Sequence, residues 1–276
     1  MEPNVLIATP NYMNVFSAEA HVSHSAAMCH WTKIGLKFNN VIVGRTFVHF
    51  ARTQLCELAI KGGYTHIFWV DDDAIIDENL LPKLVNHDKD VIVTPYPMRK
   101  PPHEIGVLVS TTGDYKDHDS YRNLTIEDLD KGLVEVDGGG THAMLMKTEV
   151  LLKSGISDMD DDQWYSLEEE NKIGRPFVMM PKTGTEDMYM CYRLKLKGVE
   201  IWCDTNEFAG HVGFAPVVTR AYRETMEDLE RQSAQTANNI PVLQVRKDGD
   251  DVCGEFGRVS EMRGATVDTS KKTNLV

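Results

Sequence analysis

The stretch that most limits how this chain can fold is Thr65-His66-Ile67-Phe68-Trp69-Val70, followed at once by Asp71-Asp72-Asp73. Its β-branched and aromatic residues show no apolar–polar alternation. That pattern predicts a strand covered on both faces, as in a parallel sheet with helices on either side. Short strands are expected around it at residues 4–8, 40–43 and 90–94. Helices are expected at 18–31 and 79–85. A further helix starts at Thr46, with Phe47, Phe50, Ala51, Leu55 and Leu58 at three- and four-residue spacing and Gly62-Gly63 as its stop. Alternating strands and helices predict an α/β sheet with ligands at the carboxyl ends of its strands.

The middle of the chain is less regular. Residues 95–102 are proline-rich and expected to be irregular or extended. Strands are expected at 107–110, 134–136 and, after Gly138-Gly139-Gly140, at 143–146, with a short helix at 149–153. Residues 158–171 read as an acidic loop. Thr185 is placed to cap a helix that carries Glu186 and Asp187 in its first turn and stops at Gly198, and a last strand follows at 199–203. One domain over 1–222 is expected. Beyond it, 223–276 reads as a polar helix candidate at 224–235 and a polar, glycine-punctuated tail.

The chain has 276 residues, 42% of them hydrophobic, enough for one medium-sized core. Its formal net charge of -13 does not suit a protein that grips nucleic acid through backbone phosphates. No apolar run approaches the roughly 20 residues of a membrane-spanning helix. The N-terminus lacks the basic region of a signal peptide. Five scattered cysteines with no paired spacing predict reduced thiols in a cytoplasmic protein and argue against a cysteine zinc site.

Three features carry chemistry. Asp71, Asp72 and Asp73 repel one another, and a divalent cation resolves the conflict; oxygen ligands suit Mg²⁺ or Mn²⁺. In an extended chain Asp71 and Asp73 point to the same side and can address one ligand. The bland alternative is a solvated acidic turn. Glu186 and Asp187 could supply a general base, although acidic residues in a first helical turn are favoured by the macrodipole without any function. His211, between Gly210 and Val212, stands on an expected loop after the last strand, where an imidazole can ligate a metal.

Other signals are weaker. Asp158, Asp160, Asp162 and Glu169 have calcium-loop spacing, but Gln163 stands where that loop requires glycine. Trp164 and Tyr165 could stack on a sugar or base. Arg99-Lys100, among prolines, could clamp an anion. The glycine triplet lacks the Gly-Lys-Ser/Thr of a phosphate loop.

In its ordered combination the sequence resembles the GT-A fold glycosyltransferases, above all the family-2-like enzymes and the compact members encoded by bacteriophages and large viruses. The resemblance spans roughly residues 4–214, about one domain. It implies a Rossmann-like mixed sheet flanked by helices. Asp71 and Asp73 match the family's Asp-x-Asp, with Asp72 in the variable place. The resemblance implies that Asp71, Asp73 and His211 hold Mn²⁺ or Mg²⁺ on the diphosphate of a nucleotide sugar. Thr9, Pro10, Asn11 and Tyr12 correspond to the nucleotide-base loop, and Arg52, Asp71 and Asp72 lie near the donor. Asp187, paired with Glu186, matches the base of inverting members. The implied reaction is transfer of a sugar to an acceptor hydroxyl on a glycan, a protein or modified DNA, in the cytoplasm, that of the host if the chain is phage-encoded. Two alternatives stay open: a sugar-nucleotide nucleotidyltransferase, and a non-catalytic nucleotide- or sugar-binding module of the same fold.

Overall fold

A computed structural model describes residues 2–99, 102–114, 120–153 and 185–212, together with the backbone of 241–248 and 251–258. The chain divides into two compact units, Met1–Tyr222 and Arg223–Val276. In the first unit the order is β1 (Asn4–Asn11), α1 (Ala18–Lys33), β2 (Lys37–Gly44), α2 (Val48–Lys61), β3 (His66–Val70), β4 (Ala74–Ile75), α3 (Leu80–Asn86) and β5 (Val91–Val93). It continues with β6 (Val107–Ser110), β7 (Tyr121–Asn123), β8 (Leu133–Val136), β9 (Gly138–Gly139), β10 (Ala143–Lys147), α4 (Thr148–Lys153), α5 (Glu186–Leu196), β11 (Ile201–Asp204) and β12 (Gly210–His211).

A seven-stranded sheet runs in the order β2-β1-β3-β10-β5-β11-β8. The β2–β1, β1–β3 and β5–β11 pairs are parallel, whereas β10 runs against β3 and β5, and β8 against β11. The chain thus adopts the expected α/β class, a mixed sheet flanked by helices. The first strand runs further than expected, to Asn11, because Thr9, Pro10 and Asn11 pair with Ile42, Val43 and Gly44 of β2. Pro10 is tolerated there because β3 pairs with β1 only as far as Ala8, so a ladder on one side alone remains. A smaller sheet, β7-β6-β9, takes up the first two residues of the glycine triplet.

Strand alternation divides the core. Val5, Ile7, Phe68, Val70, Ile92 and Leu145 share one cluster with Ala27 and Trp31 of α1 and with Leu80, Leu81 and Leu84 of α3. Trp31 is edge-on to Phe68 at 6.0 Å, and burial of a side chain of this size contributes roughly 1.5–3 kcal/mol. Helix α2 packs against β1 and β3. Its buried residues are Ala51, Arg52, Thr53, Leu55, Cys56 and Ala59, while Phe47 and Leu58 are exposed. The helix forms where the periodicity places it: Ala51 and Leu55 of the expected face are buried, Arg52 is buried with them, and Phe47 is left at the exposed N-cap. Among the described residues no helix is long and apolar enough to cross a membrane.

The second unit contains an antiparallel hairpin of β13 (Pro241–Asp248) and β14 (Asp251–Arg258). The sequence alone suggests no structure from residue 247 onward, and paired strands stand there instead. The helix candidate at 224–235 lies outside the described residues, as do Lys100, the acidic stretch 158–171 and Trp164 and Tyr165 within it.

Candidate metal centre

The carboxylate triplet does not continue β3 as an extended chain. The Ala74 amide donates to the Asp71 carbonyl at 3.1 Å, closing a turn over Asp71–Ala74. Helix α1 clamps the segment from Ala74 to Glu78. His24 Nε2 donates to the Ala74 carbonyl at 2.9 Å, Ser23 Oγ accepts from the Ile76 amide at 3.1 Å, and Trp31 Nε1 donates to the Glu78 carbonyl at 2.7 Å. Burial pushes the His24 imidazole down to about 4, so it stays neutral in this role. On the other side β12 pairs with β4, bringing His211 opposite Ala74, and the Val212 amide donates to the Asp73 carbonyl at 2.9 Å. The expected loop histidine is therefore held by a short strand ladder.

The antiparallel pairing of β10 with β3 sets Ala143 against Val70 and puts His142 beside the triplet. Asp73, His142 and His211 each offer one ligand atom, and these atoms lie within 4.8 Å of one another. Both ring tautomers follow from backbone carbonyls, which can only accept. His142 Nε2 donates to the Gly210 carbonyl at 2.8 Å, and His211 Nδ1 donates to the Pro97 carbonyl at 2.8 Å. In the neutral rings this leaves His142 Nδ1 and His211 Nε2 bare. His142 Nδ1 stands 3.6 Å from Asp71 Oδ2 and 3.8 Å from Asp73 Oδ1, and His211 Nε2 stands 3.2 Å from Asp73 Oδ2. Burial pushes His211 down to about 3 and keeps it an uncharged donor of a lone pair. Lone pairs facing lone pairs call for a cation among them, and the Arg99 guanidinium reaches two of these atoms, donating to His211 Nε2 at 2.9 Å and pairing with Asp73. Carbonyl-oriented imidazoles with a carboxylate fit a divalent metal.

Asp71 has a different partner. Arg52, buried on α2, reaches Asp71 Oδ1 with one terminal nitrogen at 3.1 Å and Glu186 Oε1 with Nε at 3.2 Å. Burial alone would raise the Asp71 carboxyl, but the Arg52 guanidinium brings it below the usual carboxylate range. Burial raises Glu186 despite the same guanidinium. Asp72 is pushed up to about 6 by burial and by the charge of Asp71.

Asp187 lies at the start of α5. Its carboxylate accepts from the Thr141 amide at 3.3 Å and the Met188 amide at 2.8 Å, and from the Thr185 hydroxyl. The Thr141 bond ties it to the residue before His142. Tyr96 stacks on His142 with ring centroids 4.5 Å apart. Burial, with the charges of Asp187 and Asp71, holds its phenol well above the usual range. A side chain on Gly106 or Gly140 would overlap the Tyr96 ring, so these two glycines make room for the aromatic that backs the imidazole. Of the four residues expected to meet a base, Thr9, Pro10 and Asn11 are buried at the end of β1. Asn11 Oδ1 accepts from the Val15 amide at 2.9 Å. Tyr12 is exposed and stacks on exposed Phe47 at 6.0 Å.

The structure thus brings Asp71, Asp73 and His211 to one corner and adds Arg52, Glu186 and Asp187 around it. Sequence reasoning missed His142. Its signal is slight: a histidine between the glycine-rich entry and an apolar strand matters only once that strand is known to pair with the one ending in carboxylates.

No protein-family model matches the chain, and no curated protein matches its sequence. Solved structures similar to it include A197 from STIV, at 16% identity and a TM-score of 0.46, covering 79% of this chain and 87% of that one. Another is a glycosyltransferase involved in the glycosylation of the major capsid of PBCV-1, at 10% identity and a TM-score of 0.31, covering 82% and 100%. A third is a Bacillus anthracis protein assigned as a glucose-1-phosphate thymidylyltransferase, at 10% identity and a TM-score of 0.33, covering 76% and 72%.

Proposed function

We propose that this chain is a divalent-metal-dependent glycosyltransferase of GT-A type, moving a sugar from a nucleotide-diphosphate sugar to an acceptor hydroxyl with inversion at the anomeric carbon. The observation that carries the reading is the convergence of Asp73, His142 Nδ1 and His211 Nε2 at the carboxyl end of β3. In open α/β sheets that end is where ligands bind.

Asp73, His142 and His211 hold the cation, and Asp71 borders it while paired to Arg52. Two imidazoles in the set favour Mn²⁺ over Mg²⁺. A divalent cation bound there supplies Lewis-acid stabilisation of the charge on a departing nucleoside diphosphate. The Gly210 and Pro97 carbonyls keep each bare nitrogen aimed inward. Asp187, oriented by the Thr141 and Met188 amides, takes the proton from the acceptor hydroxyl. Glu186 holds Arg52, and Arg52 holds Asp71. The exposed Tyr12–Phe47 pair offers an aromatic face for the nucleotide base.

The test is a screen of nucleotide sugars with Mn²⁺ by thermal shift, followed by turnover of any binder with candidate acceptors. A donor that raises the melting temperature only with Mn²⁺ is expected. Turnover should fall by about 10²–10⁴-fold in Asp187→Asn while Mn²⁺ affinity is kept. Pyrophosphate release from a nucleoside triphosphate and a sugar 1-phosphate, without glycosyl transfer, would overturn the reading in favour of a nucleotidyltransferase.

A further inference from the structure

Arg99 stands on the loop after β5, and its side chain is 59% exposed. Even so, its guanidinium points into the carboxylate–imidazole cluster. Nε donates to His211 Nε2 at 2.9 Å, and a terminal nitrogen pairs with Asp73 Oδ2. Those acceptors are the atoms that the metal reading assigns to the cation. An imidazole Nε2 has a single lone pair, so it cannot accept from Arg99 and ligate a metal at once. The loop stem is fixed nearby. Pro97 bridges Ile105, the Met98 amide donates to the Glu104 carbonyl at 2.8 Å, and the Pro97 carbonyl accepts from His211. A displaced Arg99 therefore stays tethered beside the site.

We propose that Arg99 is the internal cation of this centre. It occupies the lone pairs of His211 and Asp73 when no metal is bound, gives them up when a metal enters, and then binds the anionic, diphosphate-type group that the metal faces. The proposal rests on the metal reading above. Its first half follows from the exclusive use of the His211 lone pair. Its second half follows from the guanidinium itself, a forked donor suited to phosphate oxygens and set free next to a site that recruits them. The Arg99-Lys100 pair that stands out in the sequence as an anion clamp gains a specific task at Arg99.

Mn²⁺ binding to the full chain, followed by the EPR signal of free Mn²⁺, separates the possibilities. The proteins are the wild type, Arg99→Gln and Asp73→Asn, and inorganic pyrophosphate is then titrated into the Mn²⁺-saturated wild type and Arg99→Gln. Removing a solvent-exposed competitor should tighten Mn²⁺ binding in Arg99→Gln on the order of fivefold. Pyrophosphate affinity of the same variant should weaken on the order of tenfold. Equal or weaker Mn²⁺ binding in Arg99→Gln overturns the exchange. Unchanged pyrophosphate affinity overturns the anion-binding half. If neither the wild type nor Arg99→Gln binds Mn²⁺, the metal reading itself has failed and Arg99 is a permanent partner of Asp73. If Asp73→Asn binds as the wild type does, the metal lies elsewhere and the exchange falls with it.

Discussion

Asp71 and Asp73 stand two positions apart at the end of the same strand, yet their surroundings solve opposite problems. Asp71 meets a buried cation that belongs to the chain: Arg52 joins it to Glu186 inside the protein. Asp73 meets two imidazoles whose protons are turned away to backbone carbonyls, and its cation is an exposed arginine on a loop. The first arrangement is built to stay. The second leaves acceptor atoms converging on one another around a cation that can be exchanged. The difference teaches that a carboxylate triplet need not act as a unit: one member is paired inside the protein and another faces two imidazoles and an exposed guanidinium.

The contrast can be broken from either side. Asp73→Asn should lower glycosyl transfer about a thousandfold in a steady-state assay, the scale of losing one focused electrostatic contact. It should change unfolding free energy by no more than about 1 kcal/mol, because the lost partner is exposed. Arg52→Met should do the reverse. It strands two carboxylates, and urea denaturation should register a loss of about 3 kcal/mol, the expected cost of removing one partner from a buried ion pair. If the two variants showed the same profile, the division of labour between Asp71 and Asp73 would be wrong. A smaller effect sharpens the picture. Gly140→Ala pushes on the Tyr96 ring that backs His142, and the overpacking should cost about 2 kcal/mol in stability. Mn²⁺ affinity should fall with it, whereas Ala at Gly35, where nothing lies within 4 Å of an added carbon, perturbs only the local backbone.

Much of the fold is legible in the residues. The β1–α1–β2–α2–β3 run could be read because Pro10, Gly35, Gly44 and Gly62 punctuate it and the acidic triplet ends its last apolar run. Strand direction could not. Met144, Leu145 and Met146 look like any buried strand, and only pairing with both β3 and β5 makes β10 the antiparallel member of the sheet. His142 was hidden for the same reason, since its place depends on register rather than on local pattern. Helix α2 shows a subtler limit. Ala51 and Leu55 of its expected apolar face are buried, but Arg52 is buried beside them in an ion pair with Asp71 and Glu186, and no helical periodicity reports a long-range charge. The Asp-x-Asp spacing suggested two carboxylates on one side of an extended strand. A turn at Asp71–Ala74 brings both toward His142 Nδ1 instead, while α1 and β12 hold β4 in place behind it. The contact from His24 to Ala74 spans 50 residues of sequence.

Electron spin-echo spectroscopy of bound Mn²⁺, on the wild type and on His142→Ala, asks the most direct question of all: which atoms touch the metal. Two directly bound imidazole nitrogens are expected in the wild type, and one after the substitution. Mn²⁺ with no bound nitrogen, or with the same nitrogen signal in both proteins, would contradict a centre made of Asp73, His142 and His211.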